Sequence, residues 1–183
     1  MDFAAELARF AATGRLGVFG YGVHLYDVVA VHGEPQAQQR VSPGRRWPHW
    51  LHYGSLQIVW CRCRRLSAMH VPAWHGELEI PGPAAGGSTL VPMPVTESRL
   101  TAALTAAGVS WRTEDRPQDR PEQRILTTRP TPYSAVTFTF VARHRPDDAP
   151  ADDWPLYQAS TSGRDHEVCP EPDRAVPDDG YGV

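Results

Sequence analysis

Two stretches of the chain share one alternation of apolar and polar positions. In Tyr53-Gly54-Ser55-Leu56-Gln57-Ile58-Val59-Trp60-Cys61, the side chains of Leu56, Ile58 and Trp60 fall on one face of an extended strand. In Tyr133-Ser134-Ala135-Val136-Thr137-Phe138-Thr139-Phe140-Val141, Val136, Phe138 and Phe140 alternate with threonines, the period-two pattern of a half-buried strand. Tyr53 falls on Tyr133, Leu56 on Val136, Ile58 on Phe138 and Trp60 on Phe140, which predicts two copies of one small unit. The alternation also leaves Gln57, Val59, Thr137 and Thr139 together on a second, open and polar sheet face.

Helical spacing surrounds these strands. Phe3, Leu7 and Phe10 predict a short helix over residues 2–12 that ends at Gly14. Leu25 to His32 reads as a helix closed by Gly33, with Pro35 beyond it. Glu97 to Ala107, with Thr96 as N-cap and Leu100, Ala103, Leu104 and Ala107 as its buried stripe, closes at Gly108. Further strands are expected at Gln36–Val41, Arg65–Val71, Ile125–Thr128, Tyr133–Arg143 and Trp154–Ser160. Gly33 and Gly108 are then equivalent points, and a longer loop in the second copy accounts for the unequal spacing from glycine to tyrosine. The domain reading is an N-terminal helix (1–14), a first α+β copy (15–80), a Pro/Gly linker (81–95), a second α+β copy (96–162) and a disordered acidic tail (163–183). The fold class is α+β: an antiparallel sheet with helices on one face.

Composition narrows the function without naming it. Apolar residues make up 41% of the 183 and charged residues 21%, the balance of a soluble globular chain. All 18 basic residues are arginine, with no lysine and no asparagine, which reads as GC-rich codon usage. The net charge of −3 divides into a basic half (residues 1–75) and an acidic one, and neither is strong enough to announce nucleic acid. Three cysteines make a poor disulfide framework. Asp2 and Glu6 stand where a signal peptide needs positive charge, so a cytoplasmic location and no membrane partner are expected. The polar run from Arg112 to Arg124, with Pro117 and Pro121 interrupting it, predicts an exposed loop.

Four groups of residues could carry chemistry. Gly14-Arg15-Leu16-Gly17-Val18-Phe19-Gly20-Tyr21-Gly22 is glycine-rich but lacks the Gly-Lys-Ser/Thr ending of a phosphate loop, and reads as a turn. Cys61-Arg62-Cys63 with His166 and Cys169 would supply four zinc ligands, at a tighter spacing than structural zinc sites use. Trp47, His49, Trp50, His52 and Tyr53 form the densest aromatic and imidazole cluster: a binding hot spot, a cap on the core, or a catalytic histidine pair. Arg45, Arg46, Arg62, Arg64 and Arg65 make a small basic patch, Arg62 and Arg64 sharing one strand face. The expected partner-binding set is Arg45, Arg46, Trp47, His49, Trp50, His52, Arg62, Arg64, Arg116 and Arg120, with no catalytic residue, no metal and no cofactor.

Gly33-Glu34-Pro35 followed by the Tyr53-to-Trp60 strand resembles a loose group of small actinobacterial proteins. Its members carry Gly-x-Pro at the end of a short helix and then a Tyr-Gly-x-Leu-x-apolar strand, and many look like immunity proteins of polymorphic toxin systems. The tandem helix-plus-strands outline is also similar to secreted β-lactamase inhibitor proteins, without their disulfides or signal peptide. The resemblance implies a non-enzymatic binding protein that covers the active site of a toxin. A small metal-dependent hydrolase using His49, His52, Cys61 and Cys63, and a weak nucleic-acid binder using Arg45 to Arg65, are the alternatives.

Overall fold

The computed structural model describes residues 2–41, 49–74, 76–82, 87–92, 95–114, 122–142, 150 and 152–163. The elements in chain order are α1 (Phe3–Thr13), β1 (Arg15–Leu16), β2 (Phe19–Gly20), α2 (Leu25–His32), β3 (Ala37–Arg40), β4 (His49–Tyr53), β5 (Leu56–Trp60) and β6 (Leu66–Pro72). They continue with β7 (Glu77–Pro81), β8 (Ser88–Pro92), α3 (Glu97–Ala106), β9 (Arg112–Glu114), β10 (Gln123–Thr131), β11 (Ser134–Val141) and β12 (Leu156–Gly163). Eight strands form one antiparallel sheet in the order β3-β4-β5-β6-β12-β11-β10-β9. Each half is a meander running inward from its own edge, and the two meet where β6 pairs with β12, from Ala68 opposite Ser162 to Pro72 opposite Gln158. The α+β class holds, and the sheet is continuous across the junction.

Alternation decides what lies inside. Leu51 and Tyr53 on β4, Leu56, Ile58 and Trp60 on β5, and Val136, Phe138 and Phe140 on β11 are buried, while the residues between them are half-exposed. Onto this apolar face pack the helices and two small hairpins. Phe3, Leu7 and Phe10 of α1 are buried as the spacing predicts, and the Phe10 ring meets the Phe138 ring edge-on at 6.5 Å. The Thr128 hydroxyl donates to the Ala11 carbonyl at 3.0 Å, tying β10 to α1. Leu25 and Val28 of α2 and Leu100 and Leu104 of α3 complete the layer. Burying one such side chain contributes roughly 1.5–3 kcal/mol, so this layer is the main source of stability.

Several expected details differ. His49–Tyr53 is a strand in its own right, since His49, Leu51 and Tyr53 alternate as well as the residues after the turn do. The 81–95 linker contains β8, which pairs with β7 from Glu77–Pro92 to Pro81–Ser88. Buried Leu78 and Val91 give this hairpin a core-facing side that a loop would lack. Ser55 N donates to the Glu79 carbonyl at 2.9 Å and Glu79 N to the Ser55 hydroxyl at 3.0 Å, which docks the hairpin on the β4–β5 turn. The extra length of the second half lies in β10, nine residues against five in β4, rather than in the connection before it. Arg112–Glu114, read as loop, is the edge strand β9. Ala107 is exposed rather than part of the α3 stripe. Thr96 stands at the N-cap without a side-chain cap bond; Asp153 takes that role, accepting from Ser98 N at 2.9 Å and from the Ser98 hydroxyl at 2.7 Å. Burial alone would raise the Asp153 pKa, but the bonds from Ser98 and Thr96 hold it below the ordinary carboxylate value. Gly163, expected in the tail, ends β12; the rest of the tail lies outside the described residues.

Candidate functional site

The opposite face of the sheet is the candidate site. Residues directly opposite in an antiparallel pair share a face. One row therefore crosses all eight strands: Ala37, His52, Gln57, His70, Ser160, Thr137, Thr127 and Arg112. Beside it run Gln39, Trp50, Val59, Ala68, Ser162 and Ala135 on one side, and Pro72, Gln158, Thr139, Ile125 and Glu114 on the other. The inner six strands place no carboxylate or guanidinium on these rows; charge enters at the β9 edge with Arg112 and Glu114.

The centre of this face is aromatic and imidazole, and its surroundings are hydroxyl and amide. The Trp50 and His70 rings lie 5.2 Å apart, tilted by 40°. His70 Nδ1 and Gln158 Nε2 are 2.8 Å apart across the β6–β12 seam, the contact of a neutral imidazole accepting from the amide. Burial lowers the His70 pKa from its ordinary value, which keeps the ring in that neutral form. Where β12 bulges, half-buried Tyr157 stacks on Trp74 with centroids 4.8 Å apart, beside Gln158 and Pro72 at the rim.

The residues named from sequence distribute unevenly over this geometry. Trp50 and His52 lie on the open face. His49 lies on the other one, 2% exposed, because three residues along a strand reverse the side-chain direction. The histidine pair of the hydrolase reading is thus split by the thickness of the sheet. Arg62 and Arg64 do not share a strand face: both fall in the β5–β6 turn, where Arg64 takes φ +58° and is buried, its guanidinium 6.0 Å from the Tyr26 ring. That burial breaks the expected basic patch and leaves Arg62 and Arg65 exposed. Arg45, Arg46, Trp47, Arg116, Arg120, His166 and Cys169 lie outside the described residues. Among the described residues no three of His, Cys, Asp or Glu gather as metal ligands.

Sequence reasoning missed His70, Gln158, Trp74 and Tyr157. The signal for His70 was present, since Ala68, His70 and Pro72 alternate with Met69 and Val71; the strand expected over Arg65–Val71 had no faces assigned to it. A separate cleft of about 420 Å³ lies between the end of α1, the start of α2 and the β10–β11 turn, lined by Arg15, His24, Asp27, Arg65 and Ser134 among others. Three of its polar groups are engaged with neighbouring protein groups. Ser134 bonds the Thr131 hydroxyl at 2.7 Å, His24 Nδ1 accepts from Tyr26 N at 3.3 Å, and Arg65 donates to the Gly22 carbonyl at 2.8 Å. Burial, then the Arg65 charge, lowers the His24 pKa.

Comparison with known protein families, with curated proteins and with solved structures finds no match to this chain. Among the described residues no helix is long and apolar enough to cross a membrane.

Proposed function

We propose that this chain is a non-enzymatic protein-binding module of the immunity or antitoxin type, which lays its open sheet face over the active site of a partner protein. The observation that carries the reading is the row from Ala37 to Arg112, uncovered by the described helices and hairpins, with His70 in it and Trp50 packed beside His70 from the neighbouring row. Tryptophan and tyrosine dominate binding energy at protein interfaces, and a surround of hydroxyl and amide groups supplies the hydrogen bonds of a polar rim. A broad sheet face of hydroxyl, amide and aromatic groups suits a protein surface better than a small substrate. The split of His49 from His52 removes the specific support for the hydrolase alternative, and the burial of Arg64 weakens the nucleic-acid one.

The test is co-purification of the full chain with the protein encoded beside its gene, followed by titration calorimetry and an activity assay of that partner. Wild type should bind stoichiometrically and suppress the partner's activity. Thr137→Arg, which plants a charge mid-row, should weaken binding by about a hundredfold, roughly 3 kcal/mol. Tyr133→Arg, at an exposed turn, should bind like wild type. Equal affinity of the Thr137→Arg chain and wild type would place the interface elsewhere, and a partner left fully active in the complex would remove the inhibitory role.

A further inference from the structure

The turn between β5 and β6 holds two thiols in contact. Cys61 Sγ and Cys63 Sγ are 2.8 Å apart, and both residues are thiols. The backbone fixes them: Arg64 N donates to the Cys61 carbonyl at 2.8 Å, Cys61 N to the Arg65 carbonyl at 3.0 Å, and Arg65 N points at Cys61 Sγ at 3.4 Å. Arg64, in the left-handed region at φ +58°, then sends the chain back towards β6, so that Arg65 closes the turn against Cys61.

We propose that Cys61 and Cys63 form a reversible intramolecular disulfide, a redox modification site built into this turn. A disulfide needs its sulfurs about 2.05 Å apart, a short approach from the thiol positions. The oxidant class is a low-molecular-weight disulfide such as oxidised glutathione. The sulfur of Cys63, the more exposed of the two, attacks the oxidant, breaks its S–S bond and releases one thiol. The sulfur of Cys61 then attacks Cys63, forming the internal S–S bond and releasing the second thiol. Two electrons pass to the oxidant and the two thiol protons leave on its products. Burial, then the hydrogen bond to Cys63, pushes the Cys61 thiol up to about 12, so Cys61 stays protonated in the reduced chain. Attack at Cys63 consumes that hydrogen bond, which removes one of the causes holding the Cys61 proton. Exposed Arg62 and Arg65 flank the pair and attract an anionic oxidant.

The experiment uses the full chain carrying Cys169→Ser, to exclude the third cysteine, equilibrated across stepped ratios of reduced to oxidised glutathione. Alkylation, intact mass and peptide mapping then read the state of Cys61 and Cys63. The expected product is a monomer lighter by two hydrogens, with no alkyl group on either residue, fully restored by dithiothreitol. Its equilibrium constant against glutathione should be at least roughly tenfold higher in the folded chain than in the same chain unfolded in urea, because the fold pre-positions the sulfurs. Adding Cys61→Ser should leave only a mixed disulfide with glutathione on Cys63. Two alkyl groups at every ratio, stable glutathionylation with Cys61 present, or equal constants in folded and unfolded chains would each overturn the proposal.

Discussion

Replacing Gly54 with alanine probes the contact between the β4–β5 turn and the β7–β8 hairpin. Gly54 sits at φ +57°, and a Cβ there would lie 2.5 Å from the Glu79 carbonyl oxygen, a backbone atom. Gly17 has nearly the same backbone conformation, φ +59°, with nothing within 4 Å of its added Cβ. Each substitution costs about 1–2 kcal/mol for placing a side chain in the left-handed region. Only Gly54→Ala must also push Glu79 away, which breaks the two hydrogen bonds between Ser55 and Glu79. At about 1 kcal/mol each, these add roughly 2 kcal/mol. Urea unfolding followed by tryptophan fluorescence should therefore place Gly54→Ala about 2 kcal/mol below Gly17→Ala at an unchanged slope. Equal losses in the two variants would mean that the hairpin is not seated on the turn, and the account of the 81–95 segment would fail.

Three further outcomes follow from the geometry. Thr128→Val removes the buried bond to the Ala11 carbonyl and should cost about 1–2 kcal/mol in urea unfolding, part of it from the carbonyl left without its donor; no loss would show that α1 is not held there. Because the His70 pKa is lowered in the fold, stability should be complete above about pH 6.5 and should decline as pH falls further, where the unfolded chain takes the proton first. His70→Gln should show a shallower decline between pH 7 and 5, and parallel curves for the two proteins would rule the effect out. Arg124→Ala loses the guanidinium stacked 4.1 Å from the Trp154 ring centroid and its bond to Glu97 at 2.9 Å; a loss of about 1 kcal/mol is expected, reduced in high salt.

Much of the architecture was legible because its residues repeat at the spacing of their own element. Phe3, Leu7 and Phe10 announce a helix, and Val136, Phe138 and Phe140 announce a strand. Where legibility failed, the local pattern was too short or mixed. His49-Trp50-Leu51-His52-Tyr53 alternates, but its inward members include a histidine and a tyrosine, so it read as an aromatic cluster rather than a strand. An Arg-rich hairpin before β6 was legible, but Cys61 to Arg64 read as strand running into it, whereas a left-handed Arg64 already lies within the turn, and no arginine announces that conformation. The join of β6 to β12 and the docking of the β7–β8 hairpin on Gly54 are non-local pairings, which single-strand periodicity does not encode. The open face was half legible: Gln57, Val59, Thr137 and Thr139 were placed on it from alternation alone. Its aromatic and imidazole centre depends on strands meeting across the middle of the sheet.

The central claim is that the open sheet face is where a partner docks. Hydroxyl-radical footprinting of the full chain, with and without the partner it co-purifies with, tests it residue by residue. Tyr26 on α2 and Tyr133 in the β10–β11 turn, 45% and 60% exposed and outside the rows of the face, serve as internal references. The account predicts that oxidation of Trp50, His52 and His70 falls in the complex while Tyr26 and Tyr133 react as before. Unchanged oxidation of Trp50, His52 and His70 together with protection of Tyr26 or Tyr133 would contradict it.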